Sequence, residues 1–368
     1  MTNDPEHNQT DPRPLDELRQ CIDGVDQQIV ELLARRAELV VEVGESKRDT
    51  QTPIYAPHRE RAVLDRIQAL NKGPLSNHTL ECIYRELMSG SFSLEQALRI
   101  GYLGPPGSFS HLAAVRHFGR SVDFAEFGAI ESVFRAVASG HCQYGLVPYE
   151  NSTGGSVTDT LDAFQEYEVK VYAEAQIEIN HCLLSNVPKD RIQRIASRPQ
   201  ALGQCRQWLA REFPDAEHVV TASSSLAVQS VVDSQDAAAI GSSLAGSLYG
   251  VNILFEGVQD KPNNVTRFLV IAMEDALPTG NDKTTISFVT NHEPGALVDV
   301  LAVFRDAGIN LSHIDKRPSG RENWQYMFFI DADAHQDDPT MQDVISRACE
   351  LCRVFNVHGA YPRAEQVL

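Results

Sequence analysis

The chain has 368 residues, enough for two or three domains with cores of their own, and its 42% apolar and 22% charged content describes a globular protein, not a disordered or fibrous one. Acidic residues outnumber basic ones by 50 to 32, a net charge of −18. That balance argues against nucleic acid or an anionic membrane as the main partner, since both demand clustered Lys and Arg; an anionic ligand has to be met by a few cations gathered locally.

The first fourteen residues, MTNDPEHNQTDPRP, are polar and proline-rich and lack the apolar core of a signal peptide, so 1–14 reads as a disordered tail. No apolar run approaches the ~18 residues of a membrane span. Seven cysteines, an odd number, read as reduced thiols, which points to the cytoplasm. Cys349 and Cys352 form a CxxC, but in a helical pattern and without a second pair for zinc, so an inert pair is expected. No cluster calls for a metal or an organic cofactor.

Residues 15–98 are helical in pattern. From Leu15 to Val43 two apolar rows keep a heptad spacing: Leu18, Val25, Leu32 and Leu39, then Leu15, Ile22, Ile29, position 36 and Val43. Such regularity over about 30 residues predicts a long helix packed lengthwise against others. Position 36 is arginine. Lys47 follows eleven residues on, about three turns in phase, and Arg19 flanks the same seam. Arg59 opens a second helix behind Pro57. Long cations can snorkel from a bundle edge; the alternative is a pocket for a small dicarboxylate held by bidentate Arg contacts.

LRQCIDGVDQQIVELLARRAELVVEVGESK followed by HRERAVLDRI resembles the all-helical chorismate mutase domain, over 15–98. The resemblance implies three helices pairing with a second chain and a pericyclic rearrangement of chorismate to prephenate, catalysed by conformation and charge complementarity. It puts ligand contacts on Arg19 (reaching the partner's site), Arg36, Lys47, Arg59, Glu60, Ser91 and Glu95. Lys47 and Glu95 would meet the breaking ether oxygen from opposite sides. Two positions depart from the family: Ala56 replaces a frequent aspartate, and Glu95 stands where some relatives carry glutamine. A carboxylate there repels the developing negative oxygen unless protonated, so mutase activity is expected to fall as pH rises.

From 100 to 275 apolar strands alternate with amphipathic helices, predicting α/β architecture. Each junction carries small hydroxyl or glycine residues: IGYLG before PPGSFS, YGLVPYE before NSTGG, IQRIAS before RPQALGQ, HVVTA before SSSL, AAAIG before SSLAG. Each hydroxyl can be an ordinary helix cap; together, with the free N–H groups of the helix starts, they suit a small anion. Asn264-Val265-Thr266 has the form of a glycosylation acceptor, yet it runs at once into the apolar Phe268–Ile271, so a strand entrance is the better reading.

GPPGSFS, VPYENSTGGSVTDTLD, SRPQALGQC and NNVTRFLVI together resemble prephenate dehydratase over 100–275. The resemblance implies two α/β lobes, like a periplasmic binding protein, closing over prephenate. Prephenate loses carbon dioxide and its ring hydroxyl together, so the site must hold carboxylates, exclude water and assist the departing hydroxyl. Thr266 is assigned to the leaving hydroxyl, aided by Asn151 and Gln200. Arg267 is expected to hold a carboxylate or fix the loop, with Ser108, Ser110, Glu150, Ser223, Ser224 and Phe268 as further contacts.

Residues 276–283, ALPTGNDK, read as a linker, and 284–368 as strand, helix, strand, strand, helix, strand, a ferredoxin-like unit. TTISFVTNHEPGALVDVLAVFRDAGINLSHIDKRPSG followed by WQYMFFIDADAH resembles the ACT regulatory domain, in which phenylalanine binds at a domain interface. Gly295, Ala296 and Leu297 match one ligand loop; Arg317 and Pro318 keep the end of a second, degenerate one. The whole resembles a cytoplasmic bifunctional chorismate mutase–prephenate dehydratase inhibited by phenylalanine, at least a homodimer. Rival readings are a prephenate or arogenate dehydratase with a weak mutase half, a tail serving only dimer contacts, and a non-catalytic amino-acid sensor.

Overall fold

The structure, a computed structural model, describes residues 13–48, 53–318 and 325–368; nearly all of the expected tail lies outside the described residues. The chain divides into two compact units, residues 1–54 with 94–96 and residues 55–93 with 97–368. Helix α1 (Leu15–Arg48) is the main described element of the first, which also takes in Leu94 and Glu95 from the end of α3. Both heptad rows run along α1, and their apolar members are between 41% and 64% exposed.

In the second unit, α2 (Pro57–Leu70) starts with proline at its first turn, where a missing N–H costs nothing. Ala56 is its N-cap and supplies no side-chain acceptor. After α3 (Asn77–Glu95) come β1 (Arg99–Leu103), α4 (Phe109–Phe118), β2 (Asp123–Phe127), α5 (Ile130–Ala138), β3 (Tyr144–Asn151), β4 (Gly155–Ser156), α6 (Thr158–Glu166) and β5 (Lys170–Glu178). The chain then crosses to a second lobe: β6 (Cys182–Leu184), β7 (Arg194–Ser197), α7 (Pro199–Gln204), α8 (Arg206–Glu212), β8 (Glu217–Val220), α9 (Ser224–Ser230), β9 (Ala237–Gly241), α10 (Ser243–Tyr249) and β10 (Ile253–Phe255). It returns as β11 (Val265–Ala272). The first lobe's sheet runs β2-β1-β3-β11-β5, with β4 on β3; the second runs β10-β6-β9-β7-β8.

The strands read as apolar runs because both faces are covered; β9, Ala-Ala-Ala-Ile-Gly, is buried at every residue. The two crossings are tied together, Ile179 N–H donating to the Asn264 carbonyl at 2.7 Å. Beside them Asn263 takes a left-handed φ of 64°, a conformation asparagine tolerates better than most residues.

The last segment has the expected order: β12 (Asp282–Thr290), α11 (Ala296–Asp306), β13 (Leu311–Pro318), β14 (Tyr326–Ala332), α12 (Pro339–Glu350) and β15 (Cys352–Pro362), the strands ordered β13-β14-β12-β15. Its sheet shares a core with the first lobe, Val289, Met327, Phe329 and Tyr361 packing with Phe164, Leu269 and Ile271. At that join Gly359 has φ 131°, and a Cβ there would meet the Val171 carbonyl at 2.6 Å. Glycine is therefore required by both the conformation and the close approach of β15 to β5.

Candidate active sites

In the first unit, Lys47 Nζ donates to Glu95 Oε2 at 2.8 Å, with both side chains largely buried. These two residues, expected to meet a substrate oxygen from opposite sides, meet each other directly in an ion pair. Gly44, one turn before Lys47, makes room for it: a Cβ there would stand 3.1 Å from Glu95 Cα. Sequence reasoning missed Gly44, although a glycine inside a long helix costs ~1 kcal/mol relative to alanine and so signals a packing need. Arg36 is half-buried on α1 and engaged, whereas Arg19 is exposed and pairs with Asp16 at 3.4 Å.

In the second unit, Arg59 is exposed, while Glu60 lies 3.9 Å from Arg85. Burial pushes the Glu60 carboxyl above its usual range, and Arg85 opposes that shift. Glu60 lines a hollow of about 220 Å³ with Gln68, Arg85 and Glu174. The Ser91 hydroxyl donates to the Leu87 carbonyl at 2.7 Å, back along its own helix.

The dehydratase candidates gather where the two crossings meet. Thr266 and Asn151 are cross-strand partners on β11 and β3, and Asn151 Nδ2 donates to Thr266 Oγ1 at 2.8 Å and to Asn264 Oδ1 at 2.8 Å. Asn151 Oδ1 in turn accepts from the backbone N–H groups of Thr153 and Gly154 at 3.0 and 2.9 Å. Asn264 is buried, so the glycosylation reading fails on access. A cavity of about 580 Å³ between the lobes is lined by Gln200, Thr153, Gly154, Gln204 and Asn264. Thr266 does not line it, but sits behind Asn264 through Asn151.

Three expected substrate contacts are corrected. Arg267 does not face that cavity: Nε donates to Glu174 at 2.6 Å, one terminal nitrogen to Asp331 at 2.6 Å and the other to Tyr361 at 2.8 Å. Asp331 and Tyr361 belong to the C-terminal sheet. The reason is strand alternation, which sends neighbours Thr266 and Arg267 to opposite faces. Glu150, paired across from Arg267, points the same way and meets His313 of β13 at 3.5 Å. Phe268 is fully buried and is core.

A β-bulge explains the remaining neighbour. Arg267 pairs with Glu150 but Phe268 with Pro148, so Tyr149 is the extra residue. Its ring lies under the Arg267 guanidinium, 5.0 Å away. Burial alone raises the Asp331 carboxyl, but Arg267 and then His313 outweigh it and hold it below the usual range.

Ser108 and Ser223 cap α4 and α9, accepting from His111 and Leu226 N–H at 3.2 and 3.0 Å. Ser110 and Ser224 are buried. Sequence reasoning missed Ser225 and Ser242, whose hydroxyls donate to the Pro106 and Gly107 carbonyls and so tie the second lobe to the first. It also missed His181, buried, bonded to Gln204 at 2.8 Å and packed edge-on against Phe109. The five-fold hydroxyl pattern was the available signal for Ser225 and Ser242; nothing comparable marked His181.

In the C-terminal segment Gly295, Ala296 and Leu297 line a cavity of about 230 Å³ with Thr290, Tyr326 and Phe328. Arg317 is corrected out of that cavity: it forms a two-toothed pair with Asp162 of α6, at 2.7 and 2.5 Å. Pro318 pairs across the sheet with Tyr326. All seven cysteines are free, Cys349 and Cys352 included, and among the described residues no group of side chains could hold a metal ion. Among the described residues no helix is long and apolar enough to cross a membrane.

Comparison with known proteins matches three family profiles: type II chorismate mutase over residues 18–96, prephenate dehydratase over 100–276 and the ACT domain over 284–350. The bifunctional chorismate mutase/prephenate dehydratase of Stutzerimonas stutzeri is 41% identical, covering 94% of this chain and 97% of its own length. That of Pseudomonas aeruginosa is 40% identical, covering 96% and 99%. Among solved structures, prephenate dehydratase of Arthrobacter aurescens in complex with L-Phe superposes with a TM-score of 0.68 at 31% identity, covering 74% of this chain and 92% of that one.

Proposed function

We propose how the residues divide two reactions in this chain, which belongs to the family of bifunctional chorismate mutase/prephenate dehydratases. It is an enzyme that rearranges chorismate to prephenate and converts prephenate to phenylpyruvate by loss of carbon dioxide and water. The mutase reaction belongs to residues 15–98, the dehydratase to 100–275 and regulation to 284–368, with 1–14 as a tail.

For the mutase, Arg36, Lys47 and Glu95, with Arg19 offered to a second copy and Arg59, Glu60 and Ser91 following, form the substrate contacts. The ion pair of Lys47 and Glu95 supports this, because it brings a cation of α1 and a carboxyl from the end of α3 to one place. A homodimer supplies the missing cover for the exposed heptad rows of α1. Feedback inhibition by phenylalanine is supported by the cavity at Gly295–Leu297 and by the L-Phe complex of the Arthrobacter aurescens relative. The free cysteines fit a reducing, cytoplasmic setting.

For the dehydratase, the observation that carries the assignment is the bond from Asn151 Nδ2 into Thr266 Oγ1. Because Thr266 accepts from Asn151, its own proton is left to donate, and among the described residues no acceptor takes it. A hydroxyl so oriented can hydrogen-bond the departing ring hydroxyl, and Gln200 lines the neighbouring cavity beside Asn264. Thr266→Ala is expected to lower dehydratase kcat about 100-fold or more while mutase turnover stays unchanged. Separate assays with prephenate and chorismate test this, and near-normal dehydration by the variant would remove Thr266 from the reaction.

A further inference from the structure

The buried cluster behind the Thr266–Asn151 pair is larger than an anchor for one arginine. Glu174 of β5 accepts from Arg267, from Lys283 Nζ at 3.2 Å and from the Ala364 N–H at 2.7 Å. Asp331 of β14 accepts from Arg267 and from Thr285 at 2.6 Å, and Thr285 is bonded to Tyr361 at 2.8 Å. Two cations, Arg267 and Lys283, thus meet two carboxylates, Glu174 and Asp331, with all four side chains almost wholly buried. Such a cluster holds only while every partner stays in place, since removing one leaves a neighbour charged and unpaired.

Its position decides what that rigidity does. Arg267 follows Thr266 directly, and Glu150 precedes Asn151 directly, so each member of the proposed dehydratase pair has its chain neighbour gripped from the regulatory sheet. Arg267 is held by Asp331 and Tyr361, Glu150 by His313. The bulge at Tyr149 widens the contact, its ring meeting both the Arg267 guanidinium and the His313 ring, each at 5.0 Å. A shift of β14 or β15 relative to β11 therefore has to turn β11 or break the cluster. Packed, charged contacts of this kind switch between discrete arrangements more readily than they stretch.

We propose that Arg267 is a positioning residue for dehydration: through Asp331 and Tyr361 it makes the placement of Thr266 depend on the state of the C-terminal sheet. The proposal rests on the reading of Thr266 and Asn151 as the dehydratase pair. It assigns to the arginine of Thr-Arg-Phe a task distinct from holding substrate, and gives ligand binding at the regulatory sheet a physical route to the reaction.

The test uses the full-length protein with Tyr361→Phe, Asp331→Asn, Arg267→Lys and the double variant of the last two. Lysine keeps the charge but cannot bridge Glu174, Asp331 and Tyr361 at once. Asp331→Asn and Arg267→Lys are each expected to lower dehydratase kcat about tenfold, within the ~100-fold that a displacement of ~1 Å can cost, with KM for prephenate little changed. Mutase turnover should stay unchanged, the double variant should be no slower than the worse single one, and each variant should need a different phenylalanine concentration for half inhibition. Tyr361→Phe removes one hydroxyl, with its bonds to Arg267 and Thr285, but no charge, and keeps the test alive should a charge change prevent folding. Folded variants with unchanged kcat and unchanged phenylalanine response, whatever their melting temperature, would reduce the cluster to structural glue. Additive losses in the double variant would overturn the single-route reading. If Thr266→Ala itself dehydrates normally, the underlying site assignment has failed, an outcome separable from all of these.

Discussion

At the scale of single residues, the chemistry turns on what each polar group already holds. Lys47 donates to Glu95 across 2.8 Å, so each of the two groups proposed for the mutase already holds the other. Glutamine in place of Glu95 keeps the shape and offers a proton at every pH. Glu95→Gln is therefore expected to raise mutase turnover above neutral pH and to flatten its decline; a variant with the parent pH profile would remove Glu95 from the reaction. Thr266 shows the opposite case, a hydroxyl that accepts from Asn151 and whose proton meets no acceptor among the described residues. Both residue types were legible in the sequence. Their bonding was not, because Asn151 and Thr266 are 115 positions apart and meet only when β3 pairs with β11.

Among the elements, α1 and β11 carry the most meaning. A 34-residue amphipathic helix with its apolar rows exposed is far more stable when those rows are covered, and a second copy of the same helix matches the heptad spacing. Ile29→Glu, in the middle of the seam, should hold the protein as a monomer in sedimentation at micromolar concentration. It should also lower mutase activity at least tenfold, because one chain's Arg19 then has no neighbouring site to enter. A dimer of normal activity would end this reading of the helix. In β11 the period of two separates tasks within one motif: Thr266 on the side of Asn151, Arg267 on the side of the C-terminal sheet. Sequence reasoning listed both as substrate contacts because adjacency in a motif does not say which face a residue takes.

On the scale of the whole molecule, several buried groups favour neutral pH. Burial lowers the His117 imidazole to about 3, with Arg85 adding to the effect, and His358 to about 4, with Lys170 adding. Each stays neutral in the fold, bonded to Tyr55 at 2.7 Å and to Ser287 at 2.8 Å, but takes a proton in the unfolded chain near pH 6.5. Below that pH the unfolded state binds more protons, so stability drops on acidification. The depressed Asp331 carboxyl acts with the same sign lower down, its contribution being full above the usual carboxylate range and lost as pH falls below that range towards its lowered value. From pH 7 to pH 5 the two histidines should each remove about 2 kcal/mol, readable as a lower urea midpoint at pH 5. An unchanged midpoint would mean that these rings are solvated.

The chain order of helix, strand and linker was enough to determine three segments, and the resemblance of their motifs to known families pointed to two reactions. Local spacing carries that information: heptads announce a long helix, hydroxyls after apolar runs announce helix starts, and Thr-Arg-Phe announces a strand entrance. Only the tertiary structure decided that Arg267, Glu150 and Arg317 serve joints between domains, that Gly44 makes room for Glu95, and that Ser225 and Ser242 tie the lobes together. The physical reason is range. Periodicity reports the faces of one element, whereas a buried ion pair or a lobe contact depends on which distant element lies opposite, and that is fixed only when the sheets assemble.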